Sequence, residues 1–177
     1  MTKELVTVIL GSDSDLSVIE SGIKFLEKAG ISFDIIIASA HRTLAFLQKT
    51  IKEKEKEGTK VFIAAAGMAA ALPGVVAAET TSPVIGVPLD GSALKGVDAL
   101  YAMVQMPGGI PVATMAIGKA GALNAAILAV EILAASDIKL KKFLKTYRKE
   151  MCDGIILKTA KLKQKGYKKY LMEQKDK

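Results

Sequence analysis

The sequence predicts an α/β fold: a three-layer α/β/α sandwich around a parallel sheet, flavodoxin-like or Rossmann-like, with a C-terminal helical extension. Short apolar runs alternate along the chain with longer segments of helical periodicity, which is the pattern of strand–helix–strand units. The short runs are continuously apolar, as expected of parallel strands covered on both faces. Helices that join successive strands require right-handed crossovers, which place helices on both sides of one sheet.

Five strands are predicted from runs rich in valine, isoleucine and alanine that end at glycine, proline or polar residues. The first run, Val-Thr-Val-Ile-Leu, stops at Gly11, and the third, Val-Phe-Ile-Ala-Ala, stops just before Gly67. In chain order the predicted strands span residues 5–10, 33–38, 60–65, 84–87 and 112–116.

Six helices are predicted between and after these strands from apolar positions three and four residues apart. They span residues 15–29, 44–57, 68–79, 96–104, 118–135 and 138 to about 161. The alternating charges of residues 52–57 indicate an exposed helix face. The alanine-rich helix 118–135 is apolar on all sides, so we expect it to be packed in the core or in an interface.

The chain of 177 residues is predicted to be one domain, with an α/β core over residues 1–136 and a basic helical tail over residues 137–177. The core holds 11 Lys/Arg and 13 Asp/Glu, a net charge of −2, whereas the tail holds 14 and 5, a net charge of +9. We interpret the tail as a solvated helical face with a frayed terminus. Steering of a phosphorylated substrate is a second interpretation, and nucleic-acid binding is a weaker one, because no recognisable binding motif accompanies the charge.

Several classes of protein are not expected from this composition. There is no signal segment and no apolar stretch of about 20 residues, so we expect a cytoplasmic protein without a membrane partner. The lone cysteine, Cys152, cannot form an internal disulfide. With one cysteine and one histidine a metal site is not expected, and the sequence offers no obvious place for a cofactor.

A polar run, Gly-Ser-Asp-Ser-Asp at residues 11–15, follows the first predicted strand and opens a helix. Backbone N–H groups, the hydroxyls of Ser12 and Ser14 and the helix dipole together suit a bound phosphate. The same residues, with Asp15, are also typical N-cap residues, and the isolated string favours that interpretation.

His41, the only histidine, lies in Ser39-Ala40-His41-Arg42, directly after the second predicted strand. Ligands of α/β domains bind at the carboxyl ends of the strands. A titratable imidazole beside a guanidinium at this place indicates proton transfer next to a bound anion. Its position alone is equally compatible with a histidine that serves only packing.

A run of small residues, Ala-Gly-Met-Ala-Ala-Ala-Leu-Pro-Gly at residues 66–74, follows the third predicted strand. Small side chains, such as those of Gly67, Ala69 and Ala71 before Leu72, let a flat ligand approach the backbone. A tightly packed strand-to-helix turn explains the composition as well. Because the three runs each follow one of the first three strands, we expect them to meet at one edge of the sheet.

These three runs, together with Gln-Met-Pro-Gly-Gly-Ile-Pro-Val-Ala-Thr at residues 105–114, occur in the order and spacing of one family. Over about residues 6–136 the chain resembles the PurE family, the N5-carboxyaminoimidazole ribonucleotide mutases of purine biosynthesis. The resemblance implies a homo-octamer with sites between neighbouring subunits and a phosphorylated aminoimidazole ribonucleotide as substrate. It implies no metal and no cofactor.

The resemblance also implies residue roles. His41 is expected to act first as acid and then as base while the carboxylate moves from the exocyclic nitrogen to C4 of the imidazole. Ser12 and Arg42 suit the 5′-phosphate, and Asp15 suits the ribose hydroxyls. The other expected substrate-binding residues are Ser14, Ser39, Ala40, Gly67, Ala69, Ala71 and Leu72.

Two positions depart from the family pattern. Ala71 stands where Ala-Ala-His-Leu-Pro-Gly carries a second histidine, and Leu44 stands where a proline usually follows Ser-Ala-His-Arg-Thr. Two alternatives therefore stay open beside the mutase. One is the related CO2-dependent aminoimidazole ribonucleotide carboxylase, whose members also lack that histidine. The other is a non-catalytic nucleotide-binding protein with a PurE-like pocket.

Overall fold

The computed structural model describes residues 4–175, which contain one five-stranded sheet. The strands are β1 (Val6–Leu10), β2 (Phe33–Ile37), β3 (Val61–Ala66), β4 (Val84–Pro88) and β5 (Ala113–Thr114). All neighbouring strands are parallel, in the order β2-β1-β3-β4-β5. This is the strand order of flavodoxin-like folds, so the predicted fold class is confirmed.

Helices connect the strands and continue beyond the last of them. Those of the described residues are α1 (Leu16–Lys28), α2 (Leu44–Glu57), α3 (Leu72–Glu79), α4 (Val97–Val104), α5 (Lys119–Ala134), α6 (Ile138–Lys165) and α7 (Tyr167–Lys175). One turn of 3-10 helix, Asp13–Asp15, precedes α1.

Two apolar layers lie on opposite faces of the sheet, because successive residues of a strand point to opposite sides. Val8 and Leu10 of β1 pack with α1, α5 and the first turns of α6. Ile9, between them, packs with α2, α3 and α4. The molecule is therefore the three-layer sandwich expected from continuously apolar strands.

Helices α1 and α5 approach each other closely because small residues line their contact. A Cβ atom on Gly22 would lie 2.5 Å from the carbonyl oxygen of Ala122, and backbone cannot move aside as a flexible side chain can. On the α5 side, Ala125, Ala126 and Ala129 are fully buried. The prediction that the alanine-rich helix is packed against other elements is confirmed.

The third helix begins later than predicted, at Leu72 rather than at residue 68. Met68 has a φ of +57°, a left-handed conformation that a right-handed helix cannot contain. The N–H of Ala70 donates to the Met68 carbonyl at 2.9 Å, and the N–H of Ala71 donates to the Ala69 carbonyl at 2.7 Å. These tight turns replace the first helical turn, although alanine is a strong helix former.

The last strand is also shorter than predicted: β5 covers two residues instead of 112–116. It lies at the sheet edge and pairs with β4 only at Ile85 and Gly86. After it the chain turns sharply into α5, so tightly that a Cβ atom on Gly121 would lie 1.6 Å from the Ala116 carbonyl oxygen. This turn ends the extended backbone early.

The tail is helical through Lys175, and the chain terminus, where fraying is expected, lies outside the described residues. Its first turns belong to the core, because Leu140 and Leu144 are buried there. The ring of Tyr147 packs edge-on against Phe25 of α1, with 4.9 Å between the centroids. The later part of α6 is mostly exposed, which agrees with the interpretation of a solvated helical face.

Candidate active site

A cleft of about 490 Å³ opens at the carboxyl edge of the sheet, where the loops after β1, β2, β3 and β4 converge. The structure brings all eleven sequence-predicted site residues to its lining. They are Ser12, Ser14, Asp15, Ser39, Ala40, His41, Arg42, Gly67, Ala69, Ala71 and Leu72. This convergence follows from parallel strands, whose carboxyl ends meet at one edge.

The loop after β1 is held by a capping box. The Ser12 hydroxyl accepts from the Ser14 N–H at 3.3 Å, and the Asp15 carboxylate accepts from the Ser12 N–H at 3.1 Å. The Ser14 hydroxyl donates to the Ser12 hydroxyl at 2.9 Å. The N-cap interpretation of this run is therefore correct for Ser12, and the same capped turn lines the cleft.

Asp15 is the acidic side chain whose ionisation this loop alters. Partial burial raises its pKa above the ordinary value, against the hydrogen bonds from the Ser12 N–H and the Ser14 hydroxyl, which lower it. The nearby charge of Asp13 raises the pKa further. The carboxylate is therefore held at a cost in free energy, as at many sites that bind polar ligands.

Replacing Asp15 by Asn is expected to stabilise the protein at neutral pH. The pKa of Asp15 is raised in the folded protein, so the folded state binds this proton more tightly than the unfolded chain. This tighter proton binding stabilises the folded state at low pH, and the stabilisation is lost as the pH rises above about 4. The difference in Tm between Asp15→Asn and wild type should grow from pH 3 to pH 7. The exposed Asp153→Asn removes the same charge, and an equal gain in that control would contradict the assignment to burial.

The loop after β2 places Arg42 beside the loop after β1. Its Nε donates to the Ser39 hydroxyl at 3.4 Å, and its Nη2 donates to the Gly11 carbonyl at 3.5 Å. The Ser39 N–H in turn donates to the Thr43 hydroxyl at 2.9 Å. Because a guanidinium has five N–H donors, Arg42 keeps donors that can bind an anion in the cleft.

His41 precedes Arg42 in the same loop, and its side chain is exposed at the cleft. The residue lies between the end of β2 and the start of α2, where the backbone rather than a packed core sets its position. An imidazole accessible from the cleft can exchange protons with a bound ligand. Its exposure does not fit a histidine packed in the core.

The loop after β3 forms a smooth wall of small groups. Ala71 is half-buried and precedes the first turn of α3, and Ala69 is exposed to the cleft. A Cβ atom on Gly67 would lie 3.5 Å from the Leu89 carbonyl oxygen, so this loop packs on the loop after β4. A flat ring can rest against methyl groups and backbone here.

The loop after β4 was not among the sequence-predicted site segments, yet Leu89 and Gly91 line the cleft. The Leu89 N–H donates to the Ala66 carbonyl at 3.0 Å, which ties this loop to the end of β3. The sequence held a weaker signal here, because Gly91 lies shortly after the fourth predicted strand, whereas Gly11 follows the first directly.

The described residues contain neither a metal-binding cluster nor a membrane-spanning helix. Among residues 4–175, His, Cys, Asp and Glu side chains form no group of three or more that could hold a metal ion. In the same part of the chain, no helix is both long enough and apolar enough to span a bilayer.

Comparison with known families decides which group of proteins this site belongs to. The family model described as AIR carboxylase matches residues 5–153, most of the chain. The chain belongs to the AIR carboxylase family. The predicted resemblance is thereby confirmed, and the match includes all four converging loops of the family cleft.

The chain matches mutases of the AIR carboxylase family over nearly their whole length and matches a longer carboxylase over only part of its length. The N5-carboxyaminoimidazole ribonucleotide mutase of Pyrococcus horikoshii is 46% identical over 97% of this chain and 96% of its own. The mutase of Thermotoga maritima is 47% identical over 94% and 96%. The phosphoribosylaminoimidazole carboxylase of Candida glabrata is 48% identical over 96% of this chain, which spans only 29% of that protein.

A solved structure of the family agrees with the fold. The crystal structure of Treponema denticola PurE matches with a TM-score of 0.82 and 32% sequence identity, covering 90% of this chain and 98% of that chain. The second half of α6 and all of α7 lie beyond the end of the family model at residue 153.

Proposed function

We propose that this protein is an N5-carboxyaminoimidazole ribonucleotide mutase of purine biosynthesis, an isomerase that moves the carboxylate from the exocyclic nitrogen to C4 of the imidazole. The observation that carries the proposal is the family cleft in which His41 and Arg42 lie side by side opposite a wall of small residues. The full-length relatives of similar size are named as this mutase, which supports it over the carboxylase.

Substrate binding is assigned to the loops after β1 and β2. The free guanidinium donors of Arg42 and the Ser12 hydroxyl bind the 5′-phosphate, with Ser14 and Ser39 completing the polar lining. Asp15 accepts hydrogen bonds from the ribose hydroxyls. These interactions place the charged end of the substrate at the polar side of the cleft.

The imidazole end of the substrate then rests against Ala40, Gly67, Ala69, Ala71 and Leu72. The carbamate bond between nitrogen and carbon breaks, CO2 is released next to the ring, and C4 attacks it. This sequence requires a wall that approaches the ring closely and excludes water. Methyl groups and backbone provide such a wall without competing hydrogen bonds.

His41 moves the protons. As CO2 leaves, the imidazolium donates a proton to the exocyclic nitrogen, and after C4 has attacked CO2 the neutral imidazole removes the proton from C4. One group performs both steps, so it returns to its starting protonation state after each turnover. A positioned acid and base of this kind contributes about 10²- to 10⁴-fold to the rate.

Finer statements about the protein are part of the same proposal. We propose that the chain is one domain, that it functions in the cytoplasm and that it assembles as a homo-octamer with sites near subunit boundaries. Large exposed apolar side chains on α4, namely Val97, Tyr101 and Val104, support burial against another subunit. No nucleic-acid partner is proposed.

Turnover of N5-carboxyaminoimidazole ribonucleotide, followed by ultraviolet absorbance, tests the function, and Ala71→His tests the departure from the family pattern. We expect the wild-type chain to turn over and Ala71→His to raise kcat by up to about tenfold, the net value of one added hydrogen bond. Ala71→Leu is the control, because it adds bulk without a hydrogen-bonding group.

Two other results would each identify one of the alternative functions. Product formed only from aminoimidazole ribonucleotide and bicarbonate would identify the CO2-dependent carboxylase. Binding of aminoimidazole ribonucleotide without turnover of either substrate, in both wild type and Ala71→His, would identify a non-catalytic binding protein.

A further inference from the structure

Met68 differs from the other residues of the cleft in both its backbone and its side chain. Its φ of +57° lies in the left-handed region, which glycine adopts readily and other residues adopt at a cost in free energy. Its side chain is long and apolar, yet it is 63% exposed. Strained backbone conformations cluster at active sites and ligand-binding sites, which indicates a functional role for Met68.

The rest of the lining contains no comparable side chain. Gly67 has no side chain, and Ala69 and Ala71 carry single methyl groups. Leu72 and Leu89 are long enough, but they are only 3% and 2% exposed because they pack into the core. Within this lining, Met68 is therefore the exposed side chain that is both long and apolar.

The chemistry of the cleft creates a need for such a side chain. This step rests on the proposed function, in which CO2 is released and must stay beside C4 until the ring attacks it. CO2 is small and uncharged, so no ion pair can retain it, whereas an apolar side chain can block its path to solvent and exclude water. A methionine has three rotatable bonds and a polarisable thioether, so it can adapt to a flat ring.

We infer that Met68 is a specificity-determining residue that covers the bound imidazole and retains the released CO2, so that transfer to C4 outcompetes loss to solvent. In the competing reaction the carbamate bond breaks, the exocyclic nitrogen gains a proton and CO2 diffuses away, which leaves aminoimidazole ribonucleotide. Met68 donates no proton and binds no phosphate. Its removal therefore changes the ratio of the two products.

The test compares the two products that the full-length chain and its Met68→Gly variant form from N5-carboxyaminoimidazole ribonucleotide, each corrected with a protein-free blank. We expect the ratio of aminoimidazole ribonucleotide to the carboxylated product to rise roughly four- to fifteenfold, which corresponds to lost contact of one or two methylene groups. KM should change little. Met68→Leu restores an apolar side chain and should return the ratio close to wild type.

Lys95 provides a matched control. It is the other non-glycine residue with positive φ in the described chain, at +51°, and it is not part of the cleft lining. Lys95→Gly relieves similar backbone strain, so it should leave the product ratio unchanged. An equal rise in Lys95→Gly, an unchanged ratio in Met68→Gly or a failure of Met68→Leu to restore the ratio would each overturn the inference. If the wild-type chain forms no carboxylated product, both the proposed function and this inference are overturned. If the wild type is active but Met68→Gly leaves the product ratio unchanged, only this inference is overturned.

Discussion

Replacing His41 by Asn is expected to lower kcat for N5-carboxyaminoimidazole ribonucleotide by about 10²- to 10⁴-fold, the usual contribution of a positioned general acid and base. Asn retains polarity and approximate size but cannot exchange a proton near neutral pH. Since this is the only histidine of the chain, no other imidazole can take over. The loss is measured by steady-state kinetics at saturating substrate.

Binding and stability are the controls for His41→Asn. Arg42 and Ser12 remain in place, so the affinity for aminoimidazole ribonucleotide should stay within a few fold of wild type. The imidazole is exposed, so Tm should hardly change. If the variant kept more than about a tenth of the wild-type kcat, well above the expected range, His41 would not be the acid and base.

The second large effect is expected at Arg42, where replacement by Met should raise KM by about 10²-fold with a smaller change in kcat. Two charge-assisted hydrogen bonds to the phosphate, each of about 1.5 kcal/mol, the lower end of the usual range, account for this size. Arg42→Lys keeps the charge but loses the planar fork, so an intermediate KM is expected. Kinetics over a range of substrate concentrations separate KM from kcat.

Lys49→Met is the matched control for Arg42→Met. Lys49 lies in the second turn of α2, the helix that follows this loop. It is exposed and pairs only with Glu53 at 3.7 Å within the described chain. Its replacement removes one positive charge from this region without touching the cleft lining. Similar, small changes of KM in both variants would show that general electrostatic attraction, rather than direct contact with the phosphate, is what Arg42 provides.

Most of the sheet was predictable from the sequence alone. The first four predicted strands agree with β1 to β4 within one residue at each end. The strands β1, β3 and β4 are buried throughout, which requires apolar runs, whereas β2 at the sheet edge is only partly buried. The arrangement of the site followed from the same reasoning. Once three polar or small runs each follow a parallel strand, the geometry of the sheet brings them to one edge. The roles of the individual residues stay predictions.

The features that the sequence did not predict all depend on interactions that local composition does not reveal. The segment from Met68 to Ala71 looks helical because alanine favours helices, but the tight turn that leaves β3 requires a left-handed residue. The loop after β4 joined the cleft because Leu89 bonds to the end of β3 across the sheet. The contact of Tyr147 with Phe25, far away in the chain, likewise could not be predicted from local composition.

Apolar content and periodicity are properties of short segments, and the order of motifs is visible along the chain. The fold class, the first four strands and the edge that carries the cleft could therefore be predicted from the sequence. Contacts between distant segments required the folded molecule. Arg42 reaches the carbonyl of Gly11, 31 residues earlier, because β2 lies next to β1 in the sheet. Met68 faces the same cleft with a strained backbone because the chain must turn there between β3 and α3. Such contacts depend on which strands become neighbours, and no local pattern of residues specifies their distances.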